Sequence, residues 1–200
     1  MSGTTESEAW QACDRGDFAG AAELWERLIA SCASERECDG LRLGYGYALV
    51  GLRRFDEARA LYRQLYRTTG SHTWIHQLGM VEREAGEYGE AAALFGQERS
   101  MLNAADELAI AANLYERGLV ESLRGNRGAA LELAERCLVA GLATEDRVMH
   151  GCAHRLLGDL AASGQEEKAR RCYLKARCAF EEAGDQVACA EIDERLALIG

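Results

Sequence analysis

The stretch LGMVEREAGEYGEAAALF, residues 78–95, decides the fold. One apolar helical run ends at Gly86, Tyr88 follows two residues later, and a second run opens with Ala91, Leu94 and Phe95. Glycine at such a break supplies the left-handed conformation that a helix C-terminus commonly requires. The same step recurs along the chain. Ala21, Ala58, Ala91, Ala130 and Ala169 lie 37, 33, 39 and 39 residues apart. Five residues before four of them stands a glycine, namely Gly16, Gly86, Gly125 and Gly164, and Arg53 holds that place in the second copy. Four residues after them come Trp25, Tyr62, Phe95 and Tyr173, with Ala134 the exception. A period of this length is the signature of stacked helical hairpins.

Each second helix carries one apolar face. Ala21, Leu24, Trp25, Leu28 and Ile29, like Ala58, Leu61, Tyr62, Leu65 and Tyr66, recur at helical spacing. Ala91, Leu94 and Phe95 begin the same stripe, and Glu98 interrupts it. The alanine is small because the partner helix crosses there at close range. The sequence predicts an all-α chain with hairpins at about 5–32, 41–68, 72–103, 105–140 and 145–183, and a capping helix over 185–199, in one domain spanning 1–200. First helices are expected at about 5–14, 41–52, 72–85, 105–124 and 145–163. Thr5 and Glu8 form a capping box, and Ser71 is the N-cap of the third first helix. In Gly16-Asp17-Phe18 and Gly86-Glu87-Tyr88 the aromatic is expected to pack into the hairpin bend; Arg53-Arg54-Phe55 keeps the aromatic alone. The final helix carries the stripe Ala188, Ile192, Leu196 and Ile199, and it closes the stack as a half-repeat.

These residues resemble the tetratricopeptide repeat family, whose unit is a 34-residue helix–turn–helix with a small residue and aromatics in its second helix. The third copy carries the resemblance best, through Leu78, Gly79, Gly86, Tyr88, Ala91 and Phe95. Trp74 stands one residue before the family's tryptophan place, which Ile75 occupies, while Gly46, Tyr47 and Gly118 echo the pattern in part. Proline at the repeat end is absent throughout, and the later copies stretch to 39 residues. Longer copies look like the arrays of bacterial signal-transducing regulators and of kinesin light chains; pairing of the HEAT type is the runner-up. The resemblance implies a right-handed superhelix whose first helices line a concave, peptide-binding face. One subfamily clamps a peptide carboxylate there with basic residues. The corresponding positions here hold Glu6, Trp10, Gly44, Thr73 and Gln77, so that clamp is absent.

By the same register the groove positions are Trp10, Leu43, Tyr47, His76, Met80, Arg83, Tyr115, Leu119 and His154. The set is largely apolar and aromatic, which suits an amphipathic helix or an apolar peptide. The other reading packs some of these residues between neighbouring first helices.

A net charge of −10, from 33 acids and 23 bases, argues against a nucleic-acid or anionic-membrane partner. No run approaches the roughly 20 apolar residues of a membrane span, and MSGTTESEAW has no secretory pattern; a cytoplasmic protein is expected. Eight cysteines without a CxxC pair exclude the commonest zinc and redox signatures. Cys137 and Cys172 are read as core residues. Cys32 and Cys38 flank ASERE at a spacing a disulfide can close, although a reducing compartment disfavours it. His72/His76 and His150/His154 are HxxxH pairs on single helical faces, but no third ligand is marked, so no metal or cofactor is expected. No GxSxG, P-loop or HExxH occurs, and Gly44-Tyr45-Gly46 continues to Leu49 where a dinucleotide loop has glycine. Two basic clusters, Arg53, Arg54, Arg59, Arg63, Arg67 and Lys168, Arg170, Arg171, Lys175, Arg177, are read as solvated outer faces or as partners of neighbouring acids.

The sequence therefore points to a non-catalytic interaction scaffold with a protein or peptide partner. A peptide- or ligand-sensing regulatory module and a self-assembling protein, paired as a homodimer through Leu196, Leu198 and Ile199, stay open beside it.

Overall fold

A computed structural model describes residues 5–199, the side chains of residues 36 and 37 excepted. The described residues form helices and no strand: α1 Glu6–Asp14, α2 Phe18–Ser31, α3 Glu35–Gly51, α4 Phe55–Thr69, α5 His72–Ala85, α6 Tyr88–Met101, α7 Glu107–Leu123, α8 Arg127–Leu142, α9 Arg147–Ala161, α10 Glu166–Ala183 and α11 Gln186–Leu198. They fall into two compact units, Met1–Leu94 and Phe95–Gly200. No described helix is long and apolar enough to cross a membrane.

The five marker alanines are buried without residual exposure, and Trp25, Tyr62, Phe95 and Tyr173 are buried with them. What receives these rings is glycine. A Cβ on Gly44 would enter the Trp25 indole, one on Gly46 the Tyr62 phenol, and one on Gly158 the Tyr173 ring. Gly151 makes the same room for Phe180, and Gly118 for Leu156. The glycines of GYG in α3 are thus packing glycines, which lets α3 lie flat between the ring of α2 on one side and that of α4 on the other. In the first unit the core gathers Ala9, Ala12, Ala21, Trp25, Leu41 and Ala48. In the second it gathers Leu114, Leu133, Cys137 and Leu156, with Tyr173, Phe180 and Ile192 in a cluster beside α11.

The hairpin bends obey one backbone rule. At Gly86 the N–H bonds back to Arg83 O at 3.1 Å, and Glu87 N bonds to Glu82 O at 2.8 Å. That pair of bonds is the Schellman motif, and it recurs at Gly16 and Gly125. Arg53 makes the same pair, to Val50 O and from Arg54 N to Leu49 O, both at 2.9 Å, and it does so at φ 58°. A left-handed conformation costs an L residue about 1–2 kcal/mol. The Arg53 guanidinium lies 5.2 Å from the Phe55 ring centroid and offsets a part of that. Arg53→Gly should therefore stabilise the chain by about 0.5 kcal/mol once the greater freedom of glycine in the unfolded state is subtracted. A raised urea midpoint checks this, and an unchanged or lowered midpoint contradicts it.

Thr5 and Glu8 make both bonds of the capping box, and Ser71 accepts from Thr73 N. Four expectations need correction. The helix expected from about 41 begins at Glu35, because Arg42 reaches back along one helical face to Glu35 at 2.9 Å and Asp39 at 3.0 Å. Cys32 and Cys38 are joined as a disulfide, with Cα atoms 5.8 Å apart, so the turn between α2 and α3 is stapled. Phe18 does not fill its own bend. It lies against Gly51 at the far end of α3, in the next hairpin, because that glycine leaves the space. In α11, Ala188 and Ile192 are buried, and Leu196 and Ile199 pack on the same cluster. That stripe faces the core, and the exposed apolar residues of α11 are Val187 and Leu198.

Candidate interaction surface

In α1 the buried residues are Ala9, Ala12 and Cys13. Their positions turn Trp10 outward at the edge of the first unit's core, where it stays 36% exposed. In α3, Leu41, Gly44, Ala48 and Leu49 point inward, and this leaves Tyr47 outward and 44% exposed. The two rings meet at 5.7 Å between centroids. Trp10 also stands edge-on to the buried Trp25 at 5.2 Å and 75°, and Phe18 approaches Tyr47 at 6.3 Å. Tilted and edge-on rings at these distances attract one another beyond their shared burial. The result is a continuous aromatic surface rooted in a fully buried indole. Leu43 adjoins it on α3, half-buried, and its carbonyl accepts from the Tyr62 hydroxyl at 3.0 Å.

His76, Met80 and Arg83, on α5 of the same unit, are all half-buried. Arg83 pairs with Glu84 at 2.7 Å. Of the positions that a carboxylate clamp would use, Glu6 is exposed, Gly44 is covered by Trp25, and Thr73 accepts from the Ser71 hydroxyl at 3.1 Å.

The second unit is built otherwise. Tyr115 is buried, and its hydroxyl accepts from Arg155 Nη2 at 2.7 Å. Burial pushes the Tyr115 phenol up to about 12, against the pull of the Arg155 charge. Arg155 also binds Glu191 of α11 at 2.8 Å, and it lies over the Phe180 ring at 5.6 Å and the Tyr115 ring at 5.9 Å. One turn further on, Arg195 pairs with Asp159 at 3.0 Å, and the Tyr173 hydroxyl donates to the same carboxylate at 2.8 Å. First helices α7, α9 and α11 are therefore laced by their own charges. Leu119 is half-buried against the core of this unit.

His154 does not stand beside Tyr115; Arg155 does. Burial, followed by the nearby charges of Lys175 and His150, lowers the His154 pKa. The displacement has a local cause. Gly118 precedes Ala130 by 12 residues, but its counterpart Gly158 precedes Ala169 by 11. At Gly164 the Schellman pair gives way to a bond from Gln165 N to Ala161 O at 3.0 Å. The bend is one residue shorter, so every position of α9 counted back from Gly164 moves by one. Gly158 was the available signal, because it occupies in α9 the place Gly118 holds in α7.

His150 is buried between Thr144 O, 3.1 Å from Nε2, and Arg147 Nη1, 3.3 Å from Nδ1. Both ring nitrogens are engaged in holding the start of α9. Among the described residues no group of three or more His, Cys, Asp or Glu converges on a point where an ion could sit. Burial raises the Cys137 thiol to about 12 and the Cys152 thiol to about 11, which suits packing rather than nucleophilic work. A cavity of about 40 Å³ beside Leu131, Leu157 and Leu160 has room for little more than water.

This architecture is the tetratricopeptide-repeat fold. A thermophilic tetratricopeptide protein of Thermus thermophilus superposes with a TM-score of 0.70 at 20% identity, over 96% of this chain and 95% of that one. The TPR-like repeats of a Podospora anserina protein described as a putative kinesin light chain superpose at 0.58, with 18% identity over 89% and 93%. A tetratricopeptide repeat protein of Parabacteroides merdae ATCC 43184 gives 0.50, with 16% identity over 97% of this chain and 78% of that one. No family model and no curated protein matches the sequence. Folds of this kind are commonly non-catalytic scaffolds for protein interaction.

Proposed function

We propose that this chain is a non-catalytic interaction module that binds a peptide or helix of a protein partner on the first-helix face of unit Met1–Leu94. The observation that carries the reading is the Trp10–Tyr47–Phe18 surface. Large rings left open to water, yet braced from below by Trp25, supply wide contact area at a small loss of side-chain freedom. Its anchors are Trp10 and Tyr47, with Leu43 beside them. The charge-laced helices of the second unit offer no comparable apolar surface at their first-helix positions, where Tyr115 and Arg155 satisfy one another.

The test is a selection from a displayed random-peptide library on the immobilised chain, followed by affinity measurement of the enriched peptides. The expected result is binding at least tenfold weaker to Trp10→Ala/Tyr47→Ala than to wild type. Peptides that bind both alike would place the working surface elsewhere.

A further inference from the structure

Resting on that reading, we infer that the Trp10–Tyr47 surface is built for a cationic side chain, the guanidinium or ammonium of an Arg- or Lys-bearing amphipathic peptide. Glu6 and Asp14 lie four residues either side of Trp10 in α1, so they share its helical face, and both are exposed. Over residues 5–18 there are four acids, Glu6, Glu8, Asp14 and Asp17, against Arg15 as the lone base. Two of the acids have structural roles: Glu8 closes the capping box, and Asp17 accepts from Gly20 N at 3.0 Å to cap α2. Glu6 and Asp14 have none of that kind.

The bases that could neutralise this face are committed elsewhere. Arg42 of α3 is held by Glu35 and Asp39. Arg54 lies against Glu57, both nitrogens at 2.6 Å, and Arg53 covers Phe55. From α2, Glu26 accepts from the Tyr45 hydroxyl at 2.8 Å and adds a further carboxylate on this unit. Ring faces carry negative potential, and indole attracts cations most strongly. A cation over Trp10 would gain from the ring and from carboxylates on both sides. The methylene stem of Arg or Lys would meanwhile lie along Tyr47 and Leu43. An acidic peptide meets repulsion at the same place.

The experiment uses three 16-residue peptides with blocked ends. Leucines form one helical face, and the other face is arginine, glutamine or glutamate. Each is titrated into the full chain at 150 mM salt while the affinity is read by anisotropy of a label on the peptide. The arginine peptide should bind at least tenfold tighter than the glutamine peptide, and the glutamate peptide should bind weakest. Glu6→Gln/Asp14→Asn should remove at least fivefold of the arginine preference and leave glutamine-peptide affinity unchanged. Glu135→Gln/Glu145→Gln, which removes the same charge from the second unit, should leave the preference intact. Two results would overturn the inference. An arginine preference reduced equally by both double variants would reflect only the net charge of the chain. Equal binding of arginine and glutamine peptides, lost on Trp10→Ala, would leave an apolar docking site with no choice of charge, and the interaction reading would stand. Binding that ignores Trp10→Ala altogether would remove the surface and the inference together.

Discussion

Arg59→Ala should destabilise the first unit by about 3 kcal/mol. Arg59 projects from α4 and grips Glu82 of α5 at two points, Nε to Oε1 at 2.9 Å and Nη2 to Oε2 at 2.6 Å. Its remaining nitrogen reaches Asp56 at 2.8 Å. The Glu82 side chain is 7% exposed and that of Arg59 is 19% exposed, so the pair sits in low dielectric. Removing the guanidinium leaves a buried carboxylate without its counter-charge, and the loss is the desolvation of that carboxylate. Replacing both partners, as Arg59→Leu/Glu82→Leu, removes the unpaired charge and should recover most of the stability. Tryptophan fluorescence during urea unfolding reads this cleanly, because Trp10, Trp25 and Trp74 all lie in the first unit. A loss under about 1 kcal/mol for the single variant, or a double variant worse than the single, would contradict the account.

Gly46→Ala should cost about 2 kcal/mol even though alanine favours helix over glycine by nearly ~1 kcal/mol. The added methyl would enter the Tyr62 phenol, which is buried and held by its bond to Leu43 O. Either the ring leaves its rotamer or α3 and α4 separate, and both loosen the packing around Ala58. Gly40 is the control. It lies in the same helix and faces open space, so Gly40→Ala should stabilise by up to about 1 kcal/mol. Two glycine-to-alanine changes six residues apart should thus move the urea midpoint in opposite directions. Parallel shifts would mean that glycine in α3 serves backbone freedom rather than helix packing.

The repeating alanine and its aromatic were legible because burial imposes them: a close crossing excludes bulk, and a ridge must fill the next groove. For this reason Ala21, Ala58, Ala91, Ala130 and Ala169 mark the helix pairs without reference to any contact. Hairpin ends were legible for the same kind of reason, since only a left-handed residue closes the Schellman pair, and Arg53 showed its place by position alone. What the sequence hid was pairing between distant polar residues. Arg59 and Glu82 read as two surface charges, and Arg155 read as a neighbour of His154 rather than as the partner of Tyr115 and Glu191. Phase along a helix depends on bend length, and one residue lost before Ala169 was enough to move the candidate position in α9. The start of α3 was hidden as well, because ASEREC carries no helical stripe and its helix is held by Arg42 from inside. The aromatic surface was half legible. Trp10 and Tyr47 were marked by register, but their contact with one another, and with Phe18 of the neighbouring helix, needed coordinates.

The most direct measurement is a proton–nitrogen correlation spectrum of the tryptophan indoles during titration with the arginine–leucine peptide. Three indole signals are expected, from Trp10, Trp25 and Trp74, each assigned by a single Trp→Phe substitution. The account predicts that the Trp10 signal moves furthest, that Trp25 follows weakly through its edge contact, and that Trp74, buried against Tyr62, stays in place. A shift led by Trp74, or a titration in which the peptide binds while Trp10 does not move, would contradict it.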